Sequence, residues 1–113
     1  MKRSKDKRPW GNFEQFTLNE TSTVKILTIK RGMRTSLQKH KRRKEFWKAL
    51  DNPVKVTIGK KTFKIKKDDE ALIKKGQLHR LHGLDKDARV LEISFGKFDE
   101  KDIKRTEDDF GRA

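Results

Sequence analysis

An all-β sandwich or barrel is the fold class this sequence predicts, and three observations carry it. Apolar residues recur with a period of two in several short runs. Glycine-containing turns separate those runs, and no apolar stripe of helical period persists over the length of a helix. Short strands spaced in this way bury one face each by closing into a sandwich or barrel.

Taken in order, Met1 to Arg8 read as a flexible basic lead that ends at Pro9, with residues 9–113 forming a single domain. The run VKILTIK puts Val24 and Ile26 on one side and Lys25, Leu27 and Ile29 on the other, so both sides of this strand are expected to be partly covered. Lys39 to Leu50 has helical propensity, but Phe46, Trp47, Ala49 and Leu50 bunch at one end instead of forming a stripe. In VKVTIGKKTFKIK, Val54, Val56 and Ile58 alternate with Lys55 and Thr57. Gly59 and Lys60 then supply a turn, and Phe63 and Ile65 resume the apolar face, which is a hairpin pattern. Ala71 to Ile73 is a short buried segment, Gly76 turns the chain into LHRLHGL, and RVLEISF is a further strand from Arg89 to Phe95. The polar tail reverses the charge of the body: Asp99 to Asp109 holds three bases and six acids, expected to fold back over the basic body or to fray.

A chain of 113 residues with 31% hydrophobic content supports one lean core, and a homodimer would add burial. There is no cysteine, which excludes disulfides, thiolate ligands and cysteine nucleophiles and fits a reducing compartment. No apolar run is long enough to cross a bilayer as a helix, so no membrane partner and a cytoplasmic location are expected. The net charge of +14, from 31 Lys and Arg against 17 Asp and Glu, draws in any anion, nucleic acid or phosphorylated metabolite alike. The lysines are nevertheless spread along alternating strands, as on a solvated face, and no recognition-helix or zinc-finger pattern is present. Nucleic acid is therefore the less favoured partner.

Chemistry concentrates in SLQKHKRRKEFW. Gln38 and His40 are two apart and share one side of an extended strand; Glu45 follows after a turn's length. His79 lies far along the chain, just after the Gly76 turn. Two imidazoles, a carboxylate and an amide oxygen can close around one divalent metal ion. Nitrogen and oxygen donors suit zinc, the first expectation, and also manganese, iron, nickel or cobalt. His82 is a rival ligand, but alternation places it with Arg80, opposite to His79 and Leu81.

The succession RPWGNFE, TSLQKHKRRKEFW, VKVTIGKKTFKI, GQLHRL and IKRTEDDFGR resembles the cupin domain of the type II mannose-6-phosphate isomerases. That domain also forms the C-terminal half of bifunctional mannose-1-phosphate guanylyltransferase/mannose-6-phosphate isomerase proteins. The similarity runs from Arg8 to Arg112. It implies a cupin jelly-roll barrel (a double-stranded β-helix) with a metal held by Gln38, His40, Glu45 and His79. It also implies a metal-dependent aldose–ketose isomerase that interconverts mannose 6-phosphate and fructose 6-phosphate. The nucleotidyltransferase half is not part of this sequence, so nucleotide-sugar synthesis is not expected of it.

For that reaction, Arg80 in the family's HRL is the expected holder of substrate oxygens. Lys25, if desolvated, or His82 is a candidate for moving the proton. Arg42, Arg43 and Arg105 are the candidates for the phosphate, because a guanidinium fork matches it better than a lysine point charge. Trp10 and Trp47 suit either a sugar face or the core. The sequence departs from the family in several places. Lys41 and Arg42 stand in a histidine run, EFW replaces EHW, DNP replaces a small turn, and IKKGQLHRL lacks both prolines of its counterpart. Those departures motivate an alternative, a non-catalytic metal-containing cupin that binds a sugar phosphate or another polyanion. An iron-dependent oxygenase-type cupin is a third reading, against which Gln38 argues by filling one more metal position.

Overall fold

Eleven strands and no helix make up residues 1–113 in the computed structural model. No helix is therefore long and apolar enough to cross a membrane. The strands are β1 (Ser4–Arg8), β2 (Gly11–Gln15), β3 (Ser22–Ile29), β4 (Leu37–Lys39), β5 (Glu45–Ala49) and β6 (Val54–Ile58). They continue as β7 (Lys61–Ile65), β8 (Glu70–Ile73), β9 (His79–Gly83), β10 (Ala88–Phe95) and β11 (Lys104–Glu107). Every pairing is antiparallel. One sheet has the order β3-β10-β5-β8, a second has β11-β4-β9-β6-β7, and β1 and β2 form a separate hairpin.

The two larger sheets enclose one core. Ile29, Trp47, Ala49, Ile73, Ala88 and Val90 from the first meet Val54, Val56, Ile65 and Leu81 from the second. The predicted hairpin is β6–β7, with Ile58 opposite Lys61 and Gly59 at φ 60°, a conformation glycine adopts without penalty. Gly83 is needed for another reason: a Cβ there would collide with the Lys30 carbonyl oxygen. The segment with helical propensity instead forms β4 and β5. Its bunched apolar residues are those of a strand buried on both faces, as Glu45, Phe46 and Trp47 all are.

Three further expectations meet the structure here. The basic lead contains a strand, β1, paired residue for residue with β2 from Ser4–Gln15 to Arg8–Gly11. Phe46, Ile93 and Phe95 form an apolar patch on the other face of the first sheet, and Met1 and Phe16 pack against it. Arg3 lies over both Phe16 and Phe46 while its guanidinium pairs with Glu14 and Glu70. On β3 only one side is covered: Leu27 and Ile29 join the core, whereas Val24 and Ile26 are exposed. The acidic tail folds back. β11 pairs with β4, Asp109 with Arg34, and Glu107 with Arg80.

Candidate metal centre

Three strands carry their inward side chains to one level at one end of the barrel. β5 begins with Glu45 and β9 begins with His79, and both are almost wholly buried. His40 follows directly on β4, and Gln38 within β4 lies opposite His79. The ligating atoms of His40, Glu45 and His79 all fall within 4.8 Å of one another.

Hydrogen bonds fix how each imidazole presents itself. His40 Nδ1 lies 2.7 Å from the Asp102 carbonyl oxygen and His79 Nδ1 lies 2.9 Å from the Gln77 carbonyl oxygen. A carbonyl only accepts, so each Nδ1 carries a hydrogen and each Nε2 is turned inward. The two Nε2 atoms sit 3.3 Å and 3.1 Å from Glu45 Oε1. Glu45 Oε2 accepts the Ser94 hydroxyl at 2.8 Å, and Gln38 Oε1 accepts the Ser36 hydroxyl at 2.6 Å. Burial alone would push the Glu45 carboxyl up. Where the two imidazoles are protonated, their hydrogen bonds to it and their charge outweigh that effect and hold it well below the usual carboxylate range.

The donor set fits a divalent cation. Glu45 Oε1 and His79 Nε2 are buried and have no hydrogen-bond partner. Each such buried orphan costs about 1–3 kcal/mol, and a cation between them would satisfy both. Arg43 Nη2, 3.2 Å from His40 Nε2, competes for that lone pair, so cation binding here means displacing a guanidinium contact. Hydrogen-bonded Nδ1 atoms behind inward Nε2 atoms are the outer support that metal-binding histidines use.

Above this cluster opens a cavity of about 830 Å³, lined by Gln38, Arg43, Glu45, Glu92, Lys25 and Arg105 among others. Glu45 and Arg43 line it, whereas the two imidazoles do not. At its mouth, Phe98 takes the Lys25 ammonium at 4.1 Å and the Arg43 guanidinium at 4.4 Å from its ring centroid.

The predicted residues divide cleanly. Gln38, Glu45, Lys25, Arg43 and Arg105 reach the cavity, with His40 and His79 against Glu45. Arg80 and His82 do not come to it, because the period of two turns them to the other face of β9. Arg80 donates to the Thr35 carbonyl at 3.0 Å and to Glu107 at 3.2 Å. His82 stands opposite Lys55 and bridges to Arg34. Arg42 is exposed and holds its place through its backbone N–H, which donates to Asp102. Trp10 is 72% exposed beside the β1–β2 turn, whereas Trp47 is in the core with its ring 5.5 Å from that of His79. Phe46 packs in the second apolar cluster, on the far side of the sheet from the cavity, so the change from EHW to EFW removes no side chain from the centre.

Sequence reasoning missed Ser36, Ser94, Phe98 and above all Glu92. Glu92 lies on β10 in phase with the core residues Ala88 and Val90. An acid in step with core positions is the pattern that would have found it. Its Oε2 accepts the Trp47 indole N–H at 3.0 Å. Burial and the neighbouring charge of Glu45 push its carboxyl up, and the Trp47 bond and the charges of Lys25 and His79 offset only part of this.

Antiparallel sheets closed around a core, with two imidazoles and a carboxylate turned into one end, define a cupin barrel with a candidate metal-chelating centre. Residues 1–108 match the family model described as mannose-6-phosphate isomerase C-terminal, and the chain belongs to that family. It is 35% identical over 108 residues to the alginate biosynthesis protein AlgA of Pseudomonas aeruginosa, covering 94% of this chain and 22% of that protein. Against the xanthan biosynthesis protein XanB of Xanthomonas campestris pv. campestris, identity is 33%, over 94% of this chain and 23% of the relative. The chain thus spans less than a quarter of these relatives. The fold resembles oxalate decarboxylase from Bacillus subtilis, with a TM-score of 0.69 at 22% identity over 77% of this chain and 24% of that one. It also resembles the capsular polysaccharide assembling protein CapF from Staphylococcus aureus, with a TM-score of 0.71 at 16% identity over 94% and 34%.

Proposed function

We propose that this barrel is a metal-dependent aldose–ketose isomerase that interconverts mannose 6-phosphate and fructose 6-phosphate. One observation carries the reading: a metal donor set and buried guanidinium nitrogens without a hydrogen-bond partner sit at the same cavity. The Nε atoms of Arg43 and Arg105 are buried there without a hydrogen-bond partner, Arg43 Nε lying 3.5 Å from Glu45 Oε2. An anionic group of the ligand would supply the missing acceptor, and a phosphate presents oxygens in the geometry a guanidinium fork matches. A divalent metal, zinc in the first instance, would polarise the carbonyl end of the open-chain sugar. Family membership supports the same substrate class. A homodimer that covers Val24 and Ile26 and a cytoplasmic site of action complete the reading.

The test is conversion of mannose 6-phosphate to fructose 6-phosphate by chelator-treated protein, with and without each candidate metal. Turnover restored by a metal supports the proposal; folded, metal-loaded protein with no turnover overturns it. A second reading, binding without catalysis, draws on the contact of Arg43 with His40 Nε2, which places a guanidinium where a metal would compete. Calorimetric binding of the sugar phosphate with no turnover would favour it.

A further inference from the structure

The cavity contains a second buried carboxylate that the metal cluster does not use. Glu92 projects from the centre of the first sheet, opposite Lys25 on one neighbouring strand and Trp47 on the other. It is 8% exposed and lines the same cavity as Glu45, Arg43 and Arg105. Its two oxygens differ. Oε2 is held by the Trp47 indole, whereas Oε1 accepts no hydrogen bond from the protein and is not sealed from the cavity. Both oxygens of Glu45 face committed neighbours, His40 and His79 on one side and Ser94 on the other. The remaining titratable groups of the cavity are poorly suited to accept a proton from carbon. Lys25 is stacked on Phe98, Arg34, Arg43, Arg105 and Arg112 stay charged, and Lys30 and Glu100 are exposed at the surface.

We infer that Glu92 is the catalytic residue that carries the proton between C1 and C2 of the sugar, an assignment that rests on the isomerase reading above. Glu92 Oε1 takes the proton from C2 of the open-chain aldose. The C–H electron pair forms the C1–C2 double bond while the carbonyl pair moves onto O1. The O2 hydroxyl proton then passes to O1, O2 becomes the carbonyl, and protonated Glu92 returns its hydrogen to C1. Nothing is oxidised or reduced overall, and no co-reactant is needed. Trp47 fixes one oxygen so that the other faces the cavity.

The test compares wild type, Glu92→Gln and Glu92→Asp, each loaded with metal. The expected result for Glu92→Gln is a loss of kcat of about 10²–10⁴-fold with KM little changed, the range for removal of a general base. Metal content per chain and calorimetric binding of fructose 6-phosphate are expected to match wild type, readouts that a collapsed site would not preserve. In deuterated water, wild type is expected to place solvent deuterium at C1 of fructose 6-phosphate, and Glu92→Gln to lose that exchange with turnover. Turnover by Glu92→Gln within about threefold of an active wild type would overturn the assignment and leave the isomerase reading standing. Metal-loaded wild type without turnover would overturn both. Where Glu92→Gln fails to fold, Glu92→Asp decides: it keeps the acid one methylene short, and a kcat equal to wild type overturns the assignment.

Discussion

The two ends of this barrel are built from the same strands and differ in what those strands turn inward. Along β10, Ala88 and Val90 give way to Glu92 and Ser94; along β5, Ala49 and Trp47 give way to Glu45; along β9, Leu81 gives way to His79. The change falls at one level because the registers align it: Val90 faces Ala49, Glu92 faces Trp47, and Ser94 faces Glu45. At the apolar end the interior groups are satisfied by packing alone. At the polar end Glu45 Oε1, His79 Nε2, Arg43 Nε and Arg105 Nε are buried without a hydrogen-bond partner. One end supplies the stability that lets the other keep unsatisfied groups pointed at a ligand.

Substitutions two residues apart on β9 give the widest separation. His79→Ala is expected to abolish tight, stoichiometric metal binding, read by metal analysis after dialysis. The metal-free protein is expected to lose less stability than Leu81→Ala, because the change removes a buried orphan along with the ring and its Nδ1 bond to Gln77. Unchanged metal content would take His79 out of the centre. Leu81→Ala is expected to do the reverse. It is expected to lower the unfolding free energy by about 2–5 kcal/mol in urea titrations, while the folded fraction binds metal as wild type does. A Leu81→Ala protein that lost metal but kept its stability would break the division between the ends.

The two ends were not equally legible in the sequence. The apolar end was plain wherever a strand is covered on one face, as in the β6–β7 hairpin with Val54 and Val56 inside and Lys55 outside. The grouping of His40, Glu45 and His79 was legible because their donor chemistry is distinctive even across a long loop. Glu92 was not, since β10 is buried on both faces from Glu92 to Phe95 and RVLEISF shows no clean alternation there. Arg80 shows the opposite problem. Alternation already set it outside, and the HRL resemblance pulled it toward the substrate; its guanidinium is held by Thr35 and Glu107. Residues 1–8 lack alternating apolar residues, and what organises them is distant: backbone pairing with β2 and the reach of Arg3 to Glu70.

Within the polar end, Arg105 offers a finer distinction between holding the ligand and handling its reactive carbons. It sits opposite Gln38 at the β11–β4 pairing, lines the cavity, and has a buried Nε without a hydrogen-bond partner. Arg105→Ala is expected to raise KM for the phosphorylated sugar by about tenfold or more with metal content unchanged. Equal affinity for the sugar phosphate in wild type and variant would place the phosphate elsewhere.

The smallest effect is expected one residue from a large one, at the two adjacent arginines of KRRK. Arg43 is buried, stacks on Phe98, and donates to the Asp99 carbonyl and to His40 Nε2. Arg42 is exposed, and its contribution to the loop is its backbone N–H on Asp102, which any residue but proline supplies. Arg42→Ala is therefore expected to leave KM and kcat within about twofold of wild type and stability within about 0.5 kcal/mol, as for a surface position. Arg43→Ala is expected to raise KM and to alter metal affinity. Of its two effects on metal, freeing the His40 lone pair favours binding and removing a nearby positive charge favours it further, so tighter binding is the expected direction. If Arg42→Ala weakened sugar-phosphate binding as much as Arg43→Ala, the charge of the whole run would be acting, and the polar end would extend beyond the cavity to the outer surface.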